Sequence, residues 1–246
     1  MLPPHPLLAA YHRGEKRPFV RRIFDAGAAD YDRVERMMAL GSGSWYRRQA
    51  LRRAGLAAGM KVLDVAVGTG LVAREEVTIV GEPRNVVGID PSSGMLAQAR
   101  QRLTIPVIMG IGEQLPLAGD SFDFVSMGFA LRHVTDLNVA FKEFHRVLRP
   151  GGTVCVLELT RPQGRLRNAL LRCYMRGIIP GLTRLLTGSG QSRLLWQYYW
   201  DTIEQCLPPR EVLAALSAAG FVDVSHHVGL GIFSEYTARK PSLAPR

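Results

Sequence analysis

The chain has 246 residues, 47% of them hydrophobic, so it can bury one sizeable core as a single domain or a domain with a cap. Its formal net charge is +10, and only Lys16, Lys61, Lys142 and Lys240 of its 31 basic residues are lysine, an arginine-rich balance that points to an anionic partner, either nucleic acid or an anionic lipid surface. Cys155, Cys173 and Cys206 are too scattered for a zinc motif or a disulfide framework and favour a reducing compartment; no apolar run reaches a membrane span, and Met1 to Ala10 lacks a signal-peptide core, so a cytoplasmic location is expected.

Residues 1–20 carry Pro3, Pro4, Pro6 and Pro18 and read as an N-terminal arm, leaving residues 21–246 as one domain. From Val20 onward, Phe24, Tyr31, Val34, Met37 and Met38 recur at helical spacing. A second helix is expected over residues 44–54, with Trp45 and four arginines. Helices in this position can lid a site formed by the first strand. That makes Tyr31 a candidate ligand contact, against the plainer reading of a packed aromatic.

The segment 61–67 reads as a strand running into Gly68-Thr69-Gly70, after which Leu71 begins a helix. Glycines let the backbone turn sharply and let a ligand approach without a Cβ in the way. The N–H groups of the helix N-terminus then face that ligand. About 20 residues on, a second apolar run, residues 86–89, ends in Asp90, the spacing at which nucleotide folds place an acid on ribose hydroxyls. A dinucleotide fingerprint fits only with Ala73 in its last glycine position. Asp64, so close to the glycine turn, would repel pyrophosphate and attract an ammonium group. S-adenosylmethionine carries an amino group, a sulfonium and a ribose but no phosphate. Asp64 is therefore assigned to its methionine end and Asp90 to its ribose, with Ala66, Gly68 and Gly70 as cofactor-binding positions of the loop between them.

Pro91 is read as opening a helix that carries Leu96, Ala99 and Met95, the last placed to pack on adenine or in the core. A third strand over 106–109 leads to a loop in which Gly112 and Glu113 can offer backbone N–H groups to an adenine edge. A fourth strand, 122–127, ends at Gly128, which lets the chain leave the sheet beside the cofactor. Asp136 is the expected N-cap of a helix burying Leu137, Ala140, Phe141, Phe144 and Leu148, and Pro150-Gly151-Gly152 turns it into a fifth strand, 153–159. This alternation argues a parallel sheet with helices on both faces. Residues 159–200 then hold seven arginines and no acid, interleaved with leucines and broken at Pro180-Gly181: a basic amphipathic insert suited to lie on a membrane, or else a substrate cap with a solvated face. A last helix follows Pro208-Pro209 and ends at Gly220, and two strands, 221–228 and 232–239, form a terminal antiparallel hairpin.

These residues resemble the S-adenosylmethionine-dependent C-methyltransferases of ubiquinone and menaquinone biosynthesis. The matching stretches are Asp64-Val65-Ala66-Val67-Gly68-Thr69-Gly70, the run from Gly88-Ile89-Asp90 to Met95-Leu96, and Arg146-Val147-Leu148-Arg149-Pro150-Gly151-Gly152. More specific are the stretch from Phe129 through Leu131-Arg132-His133 to Asp136, and upstream Phe24-Asp25 and Tyr31-Asp32. The resemblance covers roughly residues 22–240. It implies a Rossmann-like class I methyltransferase: a seven-stranded, mostly parallel sheet, an antiparallel terminal strand and a helical insert after strand five. The family usually has an acid where Leu71 stands, Asp or Asn where Ile111 stands, and Asn where Glu35 and His133 stand. Those differences bear on cofactor affinity and on the acceptor.

The expected reaction is C-methylation of a prenylated quinol, with His133 as base and Arg132 holding the oxyanion or a water, and without a metal. A strand-end structural histidine is the competing reading of His133. Other acceptors stay open: a phospholipid amine or another lipophilic metabolite. Nucleic-acid methylation is disfavoured, because Gly128-Phe129-Ala130-Leu131 stands where exocyclic-amine enzymes carry their Pro-Pro motif. A non-catalytic cofactor-binding scaffold is the reading from another class. Expected partners are the lipophilic substrate and an anionic membrane, touched peripherally from its inner face, with a homodimer left open.

Overall fold

The computed structural model describes residues 16–39, 41–160, 164, 171, 173–174, 202 and 206–242. The basic insert therefore lies almost wholly outside the described residues. Helix α1 (Lys16–Met38) begins earlier than the proline-rich arm suggested, because Pro18 falls in its first turn, where a missing N–H costs no helical bond. Helix α2 (Gly43–Arg53) follows.

The sheet comprises β1 (Val62–Val65), β2 (Val86–Asp90), β3 (Val107–Met109), β4 (Phe122–Gly128), β5 (Leu148–Leu159), β6 (Val222–Gly229) and β7 (Phe233–Arg239). Its order is β3-β2-β1-β4-β5-β7-β6. The first five strands pair in parallel; β7 runs antiparallel to both β5 and β6. The hairpin thus folds back so that its second strand, β7, joins the sheet and β6 becomes the edge. Four further helices complete the described architecture: α3 (Leu71–Val80), α4 (Ser93–Arg102), α5 (Leu137–Val147) and α6 (Pro209–Ala218).

Alternation along the central strands sorts the core into two layers. Leu63 and Val65 of β1 and Val125 and Met127 of β4 face α5 and α6, where Phe141, Phe144, Val147, Val212 and Leu216 are buried. Val62 and Phe124 face the other way, toward Leu51 of α2, Val72 and Ala73 of α3 and Leu96 of α4. Asp64 and Ser126, paired in register across β1 and β4, share that second face and so point at α3.

Several element ends differ from expectation for local reasons. β1 stops at Val65 because Ala66 takes φ 60°. Helix α4 starts at Ser93, not Pro91, because the Ser92 hydroxyl caps it by accepting the Met95 N–H at 3.1 Å. β5 starts at Leu148, and its pairing with β4 is irregular between Phe122 and Phe124, so Pro150-Gly151-Gly152 sits inside the strand as a kink. The Asp136 cap is as expected: its carboxylate accepts the N–H groups of Asn138 and Val139.

Candidate active site

The order reverses direction at β1, with β2 on one side and β4 on the other, and ligands of open α/β sheets bind outside the strand ends at such a point. A cavity of about 280 Å³ lies there. It is lined by Tyr31, Ala66, Gly68, Asp90, Met95, Gly112, Glu113, Gly128 and His133, nine of the twelve expected site residues. Asp64, Gly70 and Arg132 are not on its wall.

The glycine loop divides the labour between its glycines. Gly68 has φ 57°, and a Cβ built on it would meet nothing nearer than the Ala66 carbonyl at 4.0 Å, so the space above it is free for a ligand. Gly70 is the left-handed N-cap of α3; a Cβ there would lie 2.5 Å from Leu103 Cδ1. Gly70 therefore shapes the loop without touching the cavity.

Asp90 closes the loop from β2. One of its oxygens accepts the Gly68 N–H at 2.9 Å and the other the Ser92 N–H at 2.8 Å. Burial pushes its carboxyl up to about 6, with Asp25 adding to the rise and the two N–H bonds opposing it. Each oxygen keeps a lone pair for a hydroxyl donor in the cavity.

Asp64 corrects the assignment made from spacing. It is fully buried on the α3 side of the sheet, and neither oxygen completes a hydrogen bond among the described residues. Burial, then Glu76 and Asp90, hold its carboxyl well above the ordinary range. Glu76, also fully buried, is raised to about 7 by burial and donated to by the Ser126 hydroxyl. Strand alternation put Asp64 on this face; its nearness in sequence to the glycine turn did not carry it into the cavity.

Two aspartates of α1 do work that the sequence reading left unassigned. Asp25 accepts the Ser92 hydroxyl at 2.6 Å and the Gly94 N–H at 2.8 Å. Asp32, 8% exposed, accepts the Thr69 hydroxyl and pairs with Arg102 Nη1 at 2.8 Å. The Phe24-Asp25 and Tyr31-Asp32 pairs thereby pin α1 to both cofactor loops, and each aromatic partner, Phe24 or Tyr31, lines the cavity. The signal was present as a family motif; the role needed the fold.

Beyond the glycine loop the wall turns apolar: Val20, Phe24, Phe129, Val134, Ile232 and Phe233 line it. His133 lies here, in the short 3-10 turn Leu131–His133, its ring edge-on to Phe24 at 5.3 Å. Phe129 takes φ 58°, a conformation that bulky residues rarely adopt, and turns its ring toward Phe233 at 6.2 Å. Arg47, 4% exposed, is bound to Glu35 and sits 5.7 Å over the Phe129 ring. Arg132 is turned out of the cavity: it binds Glu158, the Phe129 carbonyl at 2.8 Å and the Thr202 hydroxyl at 3.1 Å. It braces the segment that carries His133 and does not reach the acceptor space. Glu113 spends one oxygen on the Thr135 N–H at 2.9 Å, tying the adenine-side loop to the same segment.

This donor set suits a cationic, phosphate-free nucleoside. The arginines on the wall, Arg21 and Arg47, are each paired with an acid, Asp25 and Glu35. Asp90 and Glu113 face the cavity, and Asp32 lies behind the loop. A pyrophosphate would meet negative charge with no uncommitted cation among the described wall residues.

Comparison with known proteins agrees. The family model described as the ubiE/COQ5 methyltransferase family matches residues 11–240. The ubiquinone/menaquinone biosynthesis C-methyltransferase UbiE of Rubrivivax gelatinosus is 34% identical over 233 residues, covering 94% of this chain and 90% of that protein. The UbiE proteins of Syntrophotalea carbinolica and Coxiella burnetii are 35% and 31% identical, covering 84% and 87% of this chain and 87% of each relative. Among solved structures, a possible histamine N-methyltransferase from Thermotoga maritima aligns with TM-score 0.64 at 22% identity, over 89% of this chain and 99% of that one. A Haemonchus contortus phosphoethanolamine N-methyltransferase in complex with S-adenosylmethionine aligns with TM-score 0.58 at 18% identity, over 80% and 53%; both share the fold. The chain belongs to the ubiE/COQ5 methyltransferase family and is an S-adenosylmethionine-dependent methyltransferase.

Proposed function

We propose that the protein C-methylates a reduced, prenylated quinone precursor that it takes from an anionic membrane. The observation that carries this reading is the two-sided cavity, acidic around Gly68 and Asp90 and apolar from Phe24 to Phe233, with His133 on the apolar wall. An apolar wall takes up a prenylated ring, and the relatives named above are C-methyltransferases of quinone biosynthesis.

S-adenosylmethionine, when bound, supplies an electrophilic methyl group. The chain's own residues arrange everything around it. Gly68 leaves room at the loop, Asp90 would accept from the ribose hydroxyls, and Met95 and Gly112 would wall the adenine. Asp64 lies behind the loop and is not a direct partner. Phe24 and Tyr31 exclude water and hold the ring in line with the methyl group. His133, directly or through one water, accepts the proton of the ring hydroxyl, which raises electron density on the neighbouring ring carbon. That carbon gains the methyl group and loses its own proton as the ring regains aromaticity. The net change is C–H to C–CH₃ with one proton released.

Incubation with labelled S-adenosylmethionine and a short-chain demethylquinol, kept reduced, tests this. Label is expected on a ring carbon, and His133→Ala should lower kcat by about 100-fold with cofactor affinity unchanged. Label only on lipid amines would contradict the reading, and an unimpaired His133→Ala variant would remove that residue from the chemistry.

A further inference from the structure

We propose that Trp45 and Leu230, with the exposed Arg52 beside them, form a docking surface for an anionic phospholipid bilayer at the rim of the acceptor cavity; this rests on the reading of the acceptor as a membrane-dissolved prenyl compound. Trp45 is 60% exposed and Leu230 is 70% exposed, the two most exposed large hydrophobic residues among those described. They come from distant parts of the sequence, yet the fold brings their segments together. Tyr46, next to Trp45, is buried and stacks on Phe233 at 4.2 Å. Gly229, next to Leu230, abuts the same ring: a Cβ built on it would lie 3.3 Å from Tyr46 Cε2. The first turn of α2 and the tip of the β6–β7 hairpin are therefore one junction.

That junction opens onto the site. Ile232 and Phe233, which follow Leu230 along the hairpin, line the cavity. Leu230 also occupies a left-handed tip position at φ 52°, where glycine or asparagine would be unstrained. An aliphatic side chain is placed at this tip against both backbone preference and solubility.

Charge argues for lipid as the occupant. Arg48 and Arg52 follow Trp45 at helical i+3 and i+7 spacing and so share its face of α2; Arg48 is held by the buried Glu75 at 2.7 Å, whereas Arg52 is exposed. An interfacial tryptophan beside an exposed arginine such as Arg52, which can reach phosphate, is the pattern of membrane-surface anchoring, and the whole chain carries a net charge of +10. With Val228 added, three apolar side chains offer far less than the roughly 800 Å² per partner of a stable protein interface. A bilayer asks only for a few anchors plus electrostatic attraction.

The test is co-sedimentation of the full chain with vesicles of equal phosphatidylglycerol and phosphatidylethanolamine, and with phosphatidylcholine vesicles. Wild type should partition to the anionic vesicles and be released by salt. Trp45→Ala/Leu230→Ser should lower the partition coefficient about tenfold or more. The same variant should methylate a water-soluble short-chain acceptor at the wild-type rate but need more of a long-chain acceptor presented in vesicles. Unchanged partitioning of a folded double variant, equal binding to both vesicle types, or no binding by wild type would overturn the proposal. So would a dimer in light scattering that the two substitutions dissociate, which would make the patch a subunit contact. Partitioning needs no acceptor, so the surface can stand even where quinol methylation is not found.

Discussion

Asp90 and the Asp64–Glu76 pair place three buried carboxyls under one glycine loop, and their titration should be visible in the stability of the protein. Asp90 is raised to about 6 and Glu76 to about 7, both by burial. Each binds its proton more tightly in the folded chain than in the unfolded one. Their contribution to stability is therefore greatest below the unfolded values and is lost as pH rises through the folded ones. Without ligand, the protein should melt higher at pH 5.5 than at pH 8, by about 5 °C. Saturating S-adenosylmethionine should narrow that gap, since a cation near the loop favours the ionised acids. Calorimetric scans across this range on wild type and Glu76→Gln check the point. A wild-type slope of opposite sign, or an undiminished slope in the variant, would exclude the cluster as its source.

At the scale of elements, α1 is the part of the site whose attachment is most specific. Asp25 and Asp32 bind the N-terminus of α4 and the glycine loop, so the helix is held by polar bonds as well as by Phe24 and Tyr31. Asp25→Ala/Asp32→Ala should weaken S-adenosylmethionine binding by about tenfold to 100-fold, because each lost bond is worth about 1 kcal/mol and also leaves a loop donor unpaired. The sheet, anchored elsewhere, should lose little stability; a collapse in melting temperature with unchanged affinity would refute the lid role. The β1–loop–α3 unit was legible from sequence because strand, glycine and helix signals are all local. So was the Asp136 cap. Less legible were features set by the third dimension. The face of Asp64 depends on strand alternation against α3, and the partner of Arg132 is Glu158 at the end of β5, 26 residues away. Proximity in sequence to a motif could not separate a residue that lines the cavity from one that braces it.

Across the whole molecule, the strand order places the glycine loop after β1 and Asp90 of β2 on one side of the cavity and the aromatic segment after β4, with the β7 hairpin, on the other. That separation is what would let one fold hold a cationic donor against the apolar acceptor proposed above. The sheet and the cavity agree with the expected class I architecture, while the arginine-rich stretch expected to touch lipid falls almost wholly outside the described residues. The central claim, that acids around the glycine bend receive a cationic nucleoside, is tested most directly by titration calorimetry of S-adenosylmethionine and NAD⁺ into wild type and Asp90→Asn at pH 7.5 and pH 5.5. The account predicts S-adenosylmethionine binding that weakens about tenfold or more in Asp90→Asn and about fourfold in wild type between pH 7.5 and pH 5.5, with no NAD⁺ binding. NAD⁺ binding at the same loop, or S-adenosylmethionine affinity indifferent to both the substitution and the pH, would contradict it.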